Sequence, residues 1–157
     1  MLHLLVGIQG SGKTTFSKEL SQKLNCPLVS SDGVRNIHPT WSEDLIWPEI
    51  YRLIAESLKK NEDVVYDATN ITPKVRKRVK DNIEQLGATF KAIAYFLDTP
   101  IDECIKRVEK RNEMVGERFL PLEVIESYQK SLVIPTLDEG FDAIKIIKNG
   151  EIVKIIE

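Results

Sequence analysis

The sequence predicts an α/β fold in which a parallel β-sheet is flanked by helices. Short β-rich apolar runs alternate with longer segments whose apolar residues recur at helical spacing, a pattern typical of parallel sheets. A glycine-containing loop lies between the first apolar run and the first helical segment. The chain has 157 residues, which suits one domain with a substantial core. We therefore expect residues 1–157 to form a single domain.

The loop after the first predicted strand reads VGIQGSGKTT. Gly7, Gly12, Lys13 and Thr14 match the Walker A pattern, G, any four residues, then G-K-[ST]. Such glycines let backbone N–H groups converge on phosphates, and the helix N-terminus adds the positive end of its dipole. The alternative is a glycine turn that binds nothing. The expected phosphate-binding residues are Gly10, Ser11, Gly12, Lys13, Thr14 and Thr15.

The same motif predicts a P-loop fold and its cofactors, ATP and Mg²⁺. Lys13 is expected to reach the β- and γ-phosphates, and the Thr14 hydroxyl is expected to bind the metal. Nothing in the sequence distinguishes ATP from GTP.

The second and third predicted strands each lead to a carboxylate, Asp32 in SSDGVR and Asp67 in VVYDATN. Parallel strands direct their carboxyl ends to the edge of the sheet where ligands bind. Asp32 suits a general base that accepts a proton from an attacking hydroxyl, and Asp67 suits a residue that orients the metal. We expect the loops that carry Lys13 and Asp32 to leave neighbouring strands. The alternative is that both carboxylates cap helices or form turns.

Local signals mark several later elements. Thr72 and Pro73 suit an N-cap and a first helical residue, and Thr99 and Pro100 repeat the arrangement at the next helix. Asn149 and Gly150 join two apolar runs, which predicts a β-hairpin over about 142–156 with a type I′ turn. The predicted strands lie near 2–7, 28–31, 63–67 and 89–97, and the predicted helices near 13–24, 44–60, 73–86, 100–111 and 121–132.

The segment IKRVEKRNEMVGERFLP predicts a lid over about 111–121. A phosphotransferase needs positive charge around the transferring group and must exclude water from it. Arg111 and Arg118 suit that role, whereas a solvated helix surface explains Lys106, Arg107 and Lys110 equally well.

The composition limits the other possibilities. The formal net charge of −2 argues against a chain coated in basic charge for non-specific binding to long nucleic acids. Cys26 and Cys104 fit neither a metal site nor a disulfide framework, and no apolar run is long enough to cross a membrane. We expect a cytoplasmic protein without a membrane partner.

Three further groups of residues have a structural and a functional interpretation. Trp41, Trp47 and Tyr51 could stack on a base, although packing into the core is the favoured alternative. His3 and His38 are expected to be structural. The third group is a basic cluster that could follow a phosphate backbone but is better explained as a solvated helix surface; it consists of Lys74, Arg76, Lys77, Arg78 and Lys80.

The order of GSGKTT, SSDGVR, DATN, RN and EGFD over about residues 2–145 resembles the P-loop kinases of the polynucleotide 5′-hydroxyl kinase group. The resemblance implies transfer of the ATP γ-phosphate to the 5′-hydroxyl of a polynucleotide or nucleoside. It implies that Asp32 is the general base, that Arg35 contacts the acceptor, and that Asp67 lies beside the acceptor and the metal. It also implies that Arg111 and Arg118 belong to the lid.

Three classes of function agree with these features. The first is a 5′-hydroxyl kinase. The second is a small-molecule kinase for a sugar acid, an antibiotic or another alcohol, which would use the same machinery with a different pocket between residues 33 and 60. The third, a non-catalytic nucleotide switch or mechanical ATPase, is disfavoured because the chain has no N-K-x-D sequence and no room for an extra helical domain.

Overall fold

A computed structural model describes every residue from Met1 to Glu157 and contains six strands in one sheet. The strands are β1 Leu2–Val6, β2 Leu28–Ser30, β3 Val64–Asp67, β4 Ala92–Leu97, β5 Ala143–Lys148 and β6 Glu151–Ile156. The helices are α1 Lys13–Leu24, α2 Ser31–Ile37, α3 Glu43–Lys59, α4 Pro73–Gln85, α5 Ile101–Asn112 and α6 Leu122–Ser131, with a short 3₁₀ turn at Leu137–Glu139.

The sheet has the order β2-β3-β1-β4-β5-β6. All pairs are parallel except β5 and β6, which form an antiparallel hairpin. The predicted α/β fold with a parallel sheet flanked by helices is therefore confirmed. Asn149 and Gly150 both have positive φ, 52° and 77°, as the predicted type I′ turn requires.

One expectation about the sheet is wrong. Strand β3 lies between β1 and β2, so the loops that carry Lys13 and Asp32 do not leave adjacent strands. The order of strands depends on which strands pair in space, and the spacing of residues along the chain does not determine it.

Sequence patterns also missed helix α2, which begins directly after β2. The Ser30 side chain caps it by accepting a hydrogen bond from the Gly33 N–H at 2.9 Å. Asp32 and Arg35 consequently lie on successive turns of a helix. The expected Thr72 cap of α4 is present, since the Val75 N–H donates to its hydroxyl oxygen at 3.2 Å.

Apolar side chains fill both faces of the sheet. Residues such as Leu4 and Tyr66 pack with α3 and α4 on one face, and residues such as Leu5 and Val65 pack against α1 on the other. A separate cluster around Cys104 joins α5 to α6. Successive residues of a strand point to opposite faces, so the alternation within β1 and β3 directs neighbours into different layers.

Other expectations about single residues have clear outcomes. His3 is buried, and its Nδ1 lies 2.7 Å from the Tyr95 hydroxyl, which agrees with a structural role. Both cysteines are free thiols. None of the helices combines the length and the apolar character needed to span a membrane.

Candidate active site

The loop between β1 and α1 has the backbone that a phosphate cradle requires. Gly10 and Gly12 have positive φ values of 80° and 99°, a conformation that favours glycine. A Cβ atom on Gly10 would lie 2.5 Å from the backbone oxygen of Cys104. Glycine at position 10 is therefore required both by conformation and by the close approach of α5.

Three contacts from distant segments hold this loop in place. The Gly7 N–H donates to the Thr69 carbonyl oxygen at 3.0 Å. The Thr99 hydroxyl donates to the Ser11 carbonyl oxygen at 2.8 Å, so Thr99 serves the loop instead of capping α5 as expected. Arg107 Nη1 donates to the Gly10 carbonyl oxygen at 3.1 Å. The helical spacing of Arg107 gave no indication of this contact.

Lys13 lies at the centre of the candidate site. Its Nζ donates to the Ile8 carbonyl oxygen at 3.1 Å. Burial lowers the pKa of Lys13. The negative charges of Asp67 and Asp32 raise this pKa, and the positive charge of Arg111 lowers it. The charges of three residues that are distant in sequence thus act on Lys13.

Asp67 is almost fully buried at the carboxyl end of β3. Burial raises its pKa, while the positive charge of Lys13 and a hydrogen bond from Ser17 oppose the increase. The Ser17 hydroxyl lies 3.3 Å from Asp67 Oδ2 and 3.0 Å from the Thr14 carbonyl oxygen. Ser17 was not identified from the sequence, because nothing in its position on α1 indicates a partner on β3.

Asp32 occupies a different environment, since 83% of its side chain is exposed. Arg35 Nη1 donates to Asp32 Oδ1 at 3.0 Å, and Arg35 Nε donates to Glu43 Oε1 at 3.0 Å. The Arg35 guanidinium also lies 5.4 Å from the centre of the Trp47 ring. Glu43 and Trp47 therefore orient Arg35 while the Asp32 carboxylate stays accessible. Glu43 is a further site residue that the sequence did not identify.

The segment from 113 to 121 joins α5 to α6, and its residues Glu117 and Arg118 line the same cleft as Lys13. Asn112 ties the two ends of this segment together, because its Nδ2 donates to the Leu120 carbonyl oxygen at 2.9 Å and its Oδ1 accepts from the Leu120 N–H at 2.8 Å. Arg111 and Arg118 are both exposed. The segment is therefore a loop tied at its base, with arginines at its start and near its end.

The charged residues described above and the glycine loop from Gly10 to Thr15 line one cleft of about 2080 Å³. The cleft includes the glycine loop, both ends of the lid segment and parts of α2, α3 and α4. The structure thus brings together every site residue predicted from sequence, namely Gly10, Ser11, Gly12, Lys13, Thr14, Thr15, Asp32, Arg35, Asp67, Arg111 and Arg118.

The basic cluster of α4 is not the uniform solvated surface that was expected. Arg76 is fully buried and forms an ion pair with Glu139, 63 residues away. Arg76 also donates to the backbone oxygen of Asn70, whose Nδ2 in turn donates to the Leu5 carbonyl oxygen at 2.9 Å. These hydrogen bonds hold Asn70, in the segment after Asp67, to β1, the strand that leads into the glycine loop.

The three aromatic residues between β2 and β3 occupy different places. Tyr51 is buried and Trp47 packs partly against the core, as favoured, and both also line the cleft. Trp41 is more exposed and stacks on His38, with ring centres 3.5 Å apart.

The residues at the site fit a Mg²⁺ ion that is ligated partly by the protein and partly by phosphates of a bound nucleotide. No cluster of three or more histidine, cysteine or acidic side chains exists that could enclose a metal by itself. Mg²⁺ in phosphotransferases commonly uses one or two carboxylates together with phosphates and water. Thr14 and the buried carboxylate of Asp67, linked through Ser17, match that donor set.

The loop after the central strand β1 contains glycines with positive φ, and Lys13 follows it at the start of α1. These two features define a P-loop nucleotide-binding protein. Comparison with known families gives the particular group. Residues 2–135 match the AAA_33 family model, described as an AAA domain, and the chain belongs to that family.

Curated relatives carry kinase names. The chain is 26% identical over 152 residues to the L-seryl-tRNA(Sec) kinase of Methanococcus maripaludis, a match that covers 90% of this chain. It spans only 56% of that relative's length. It is also 27% identical over 136 residues to the shikimate kinase of Haemophilus influenzae, with 80% of this chain and 72% of that protein covered.

Solved structures support the fold. A putative kinase from Chloroflexus aurantiacus superimposes with a TM-score of 0.75 at 18% identity, covering 94% of this chain and 86% of that one. Kti12 of Chaetomium thermophilum, solved with ADP-AlF3, gives 0.76 at 14% identity, covering 95% and 89%. A gluconokinase from Sinorhizobium meliloti gives 0.61 at 19% identity, covering 93% and 81%.

Proposed function

We propose that this protein is an ATP-dependent kinase that transfers the γ-phosphoryl group to a hydroxyl, and that the 5′-hydroxyl of a polynucleotide or nucleoside is the acceptor. One observation carries the proposal: Lys13, Asp67, Asp32 and Arg111 all line the single cleft that contains the glycine loop. Asp32 adds to the phosphate-binding lysine an accessible carboxylate in the same cleft, which a base for an attacking hydroxyl requires.

The proposed chemistry assigns one task to each group. The acceptor oxygen forms a bond to the γ-phosphorus, the bond between that phosphorus and the β–γ bridging oxygen breaks, and ADP leaves. The acceptor proton passes to the carboxylate of Asp32. Lys13 and the lid arginines, Arg111 and Arg118, offset the negative charge on the transferring group.

Two features support Asp32 as the base and Asp67 as the metal-side residue. Asp32 is exposed to the cleft, where an acceptor can reach it, and Arg35 orients it from one side. Asp67 is buried against Ser17 and Lys13, behind the glycine loop. When bound, Mg²⁺ would be held by Thr14 and Asp67 and would neutralise phosphate charge.

The proposed acceptor class rests on resemblance in sequence and on one relative. The motifs SSDGVR and DATN resemble those of 5′-hydroxyl kinases. One curated relative, the L-seryl-tRNA(Sec) kinase, is named for an acceptor carried by a nucleic acid.

A second candidate function is phosphorylation of a small alcohol or hydroxy acid. Several curated relatives are shikimate kinases, and one structural relative is a gluconokinase. The same catalytic groups would serve that reaction, with acceptor specificity residing between α2 and α4.

The test is label transfer from γ-labelled ATP in the presence of magnesium. The acceptors are 5′-hydroxyl oligonucleotides, the same oligonucleotides with 5′-phosphates, nucleosides, shikimate and gluconate. Label on 5′-hydroxyl acceptors alone supports the proposed acceptor. Label on shikimate or gluconate alone replaces it with the second candidate, and absence of transfer to any acceptor contradicts kinase activity on these classes.

A further inference from the structure

The lining of the cleft also includes a groove between α3 and α4, none of whose residues is assigned a phosphotransfer step above. We call this the acceptor groove. Its lining residues are Trp47, Tyr51, Tyr66, Val75, Arg78 and Asn82. Val75, Arg78 and Asn82 recur at helical spacing, so one face of α4 follows the groove for two turns.

Tyr66 supplies a hydroxyl that the protein leaves without a partner. The side chain is completely buried, and its hydroxyl makes no hydrogen bond within the protein. Buried hydroxyls in folded proteins are nearly always hydrogen-bonded, so the Tyr66 hydroxyl lacks a partner that a molecule bound in the cleft can supply. Burial raises the pKa of Tyr66 above its usual range, and the phenol therefore stays protonated and able to donate.

Arg78 supplies a positive charge beside the same groove. Three other cations of α4 already have partners: Arg76 pairs with Glu139, Lys77 pairs with Asp81, and Lys80 donates to the Glu139 carbonyl oxygen. Arg78 forms no ion pair and is exposed to the cleft.

Tyr51 connects the two groups. Burial raises the pKa of Tyr51, and the positive charge of Arg78 opposes that increase. After burial, Tyr51 is also the largest influence on the pKa of Tyr66, followed by Arg35. Tyr66, Tyr51 and Arg78 therefore border the same cleft, and the two tyrosines pack in the same core cluster.

We propose that the Tyr66 hydroxyl and the Arg78 guanidinium bind an anionic oxygen group of the acceptor, a phosphate or a carboxylate, in the acceptor groove. The inference rests on the proposed function, because it adds a second contact to the acceptor whose hydroxyl reaches Asp32. A phenol and a guanidinium can both donate, and hydrogen bonds to an anion are stronger than those between neutral groups. Trp47 and Val75 provide an apolar wall for the carbon skeleton.

The experiment compares three acceptors that differ in the anion. Thymidine 3′-monophosphate carries a free 5′-hydroxyl and a phosphate, thymidine carries the hydroxyl alone, and shikimate carries hydroxyls and a carboxylate. Steady-state kinetics are measured for the wild type, Tyr66→Phe and Arg78→Gln. Lys77→Gln is the matched control, because Lys77 lies one residue away on α4, outside the cleft lining.

Both groove variants are expected to raise the KM of the anionic acceptor about tenfold, as for a lost hydrogen bond to a charged group. The kcat, the KM for ATP and the KM for thymidine should stay unchanged. Tyr66→Phe removes only a hydroxyl without a partner, so folding should not suffer. A KM effect confined to thymidine 3′-monophosphate identifies phosphate as the anion, and one confined to shikimate identifies carboxylate.

Equal effects on thymidine and on the anionic acceptors, or no effect on any of them, would overturn the inference. If none of the acceptors is phosphorylated, the proposed function fails for these compounds. Acceptor binding measured by calorimetry then tests the groove site independently of turnover. Thymidine 3′-monophosphate and shikimate are titrated in the presence of a non-hydrolysable ATP analogue. Weaker binding to Tyr66→Phe than to Lys77→Gln supports the groove site, and equal or absent binding overturns it.

Discussion

Arg76 and Glu139 form a bidentate ion pair, with Nε 2.7 Å from Oε1 and Nη2 3.0 Å from Oε2. The remaining guanidinium nitrogen, Nη1, donates to the Asn70 carbonyl oxygen at 2.8 Å. The pair therefore links α4 to the 3₁₀ turn before β5 and supports the loop after Asp67. Because Arg76 is completely buried, all of its charge must be balanced by these partners.

Replacement of Arg76 by Met should destabilise the fold by about 3–5 kcal/mol, because it removes one partner of a buried ion pair. The free energy of unfolding from urea titration measures the change. Lys77→Met is the control on the same helix, since Lys77 is exposed and pairs only with Asp81. Similar stabilities of the two variants would show that the buried pair does not contribute as argued.

The ion pair should also make stability depend on pH. Burial alone raises the pKa of Glu139, but hydrogen bonds from Arg76 and from the Thr136 backbone outweigh it and leave the pKa below its ordinary 4.5. The stabilisation is therefore present above pH 4.5 and is lost as the pH falls through the lowered pKa. Between pH 7 and pH 3 the wild type should lose more unfolding free energy than Glu139→Gln does. Parallel pH profiles for the two proteins would contradict this prediction.

Lys13→Ala should weaken ATP binding and reduce phosphotransfer by on the order of 10²–10³-fold, because the lysine charge contacts phosphate in both the ground and transition states. Nucleotide titration and label transfer measure the two effects. Lys23→Ala is the control, because Lys23 is exposed near the end of the same helix and lies outside the cleft lining. Normal turnover by Lys13→Ala would refute the assignment of the phosphate-binding loop.

Asp32→Asn should lower kcat by on the order of 10²–10⁴-fold, because the amide keeps the shape of the side chain but is far too weak a base. ATP affinity should change little, since the nucleotide is held by the glycine loop on the other side of β3. Glu43→Gln is a useful comparison, because it removes the second acidic partner of Arg35 and leaves the proposed base intact. If Asp32→Asn retained near-normal transfer, Asp67 would become the candidate base.

Patterns along the chain were sufficient for the fold class, the glycine loop, the Thr72 cap and the C-terminal hairpin. Each of these depends on residues close together in sequence. Gly10 and Gly12 can adopt positive φ because glycine has no Cβ, and the turn at Asn149 and Gly150 pairs the non-glycine residue that best tolerates positive φ with a glycine. Helix α2 was missed because its short, polar sequence lacks apolar periodicity, and its Ser30 cap is visible only in three dimensions.

The tertiary structure alone decided which of the many charged residues have a partner. Arg76, Arg107 and Arg78 look alike in sequence, yet one is buried against Glu139, one holds the Gly10 carbonyl oxygen, and one faces the acceptor groove. The insertion of β3 between β1 and β2 was equally invisible. Such outcomes depend on contacts between segments tens of residues apart, and the burial that sets the energy of a charge exists only after the chain has folded.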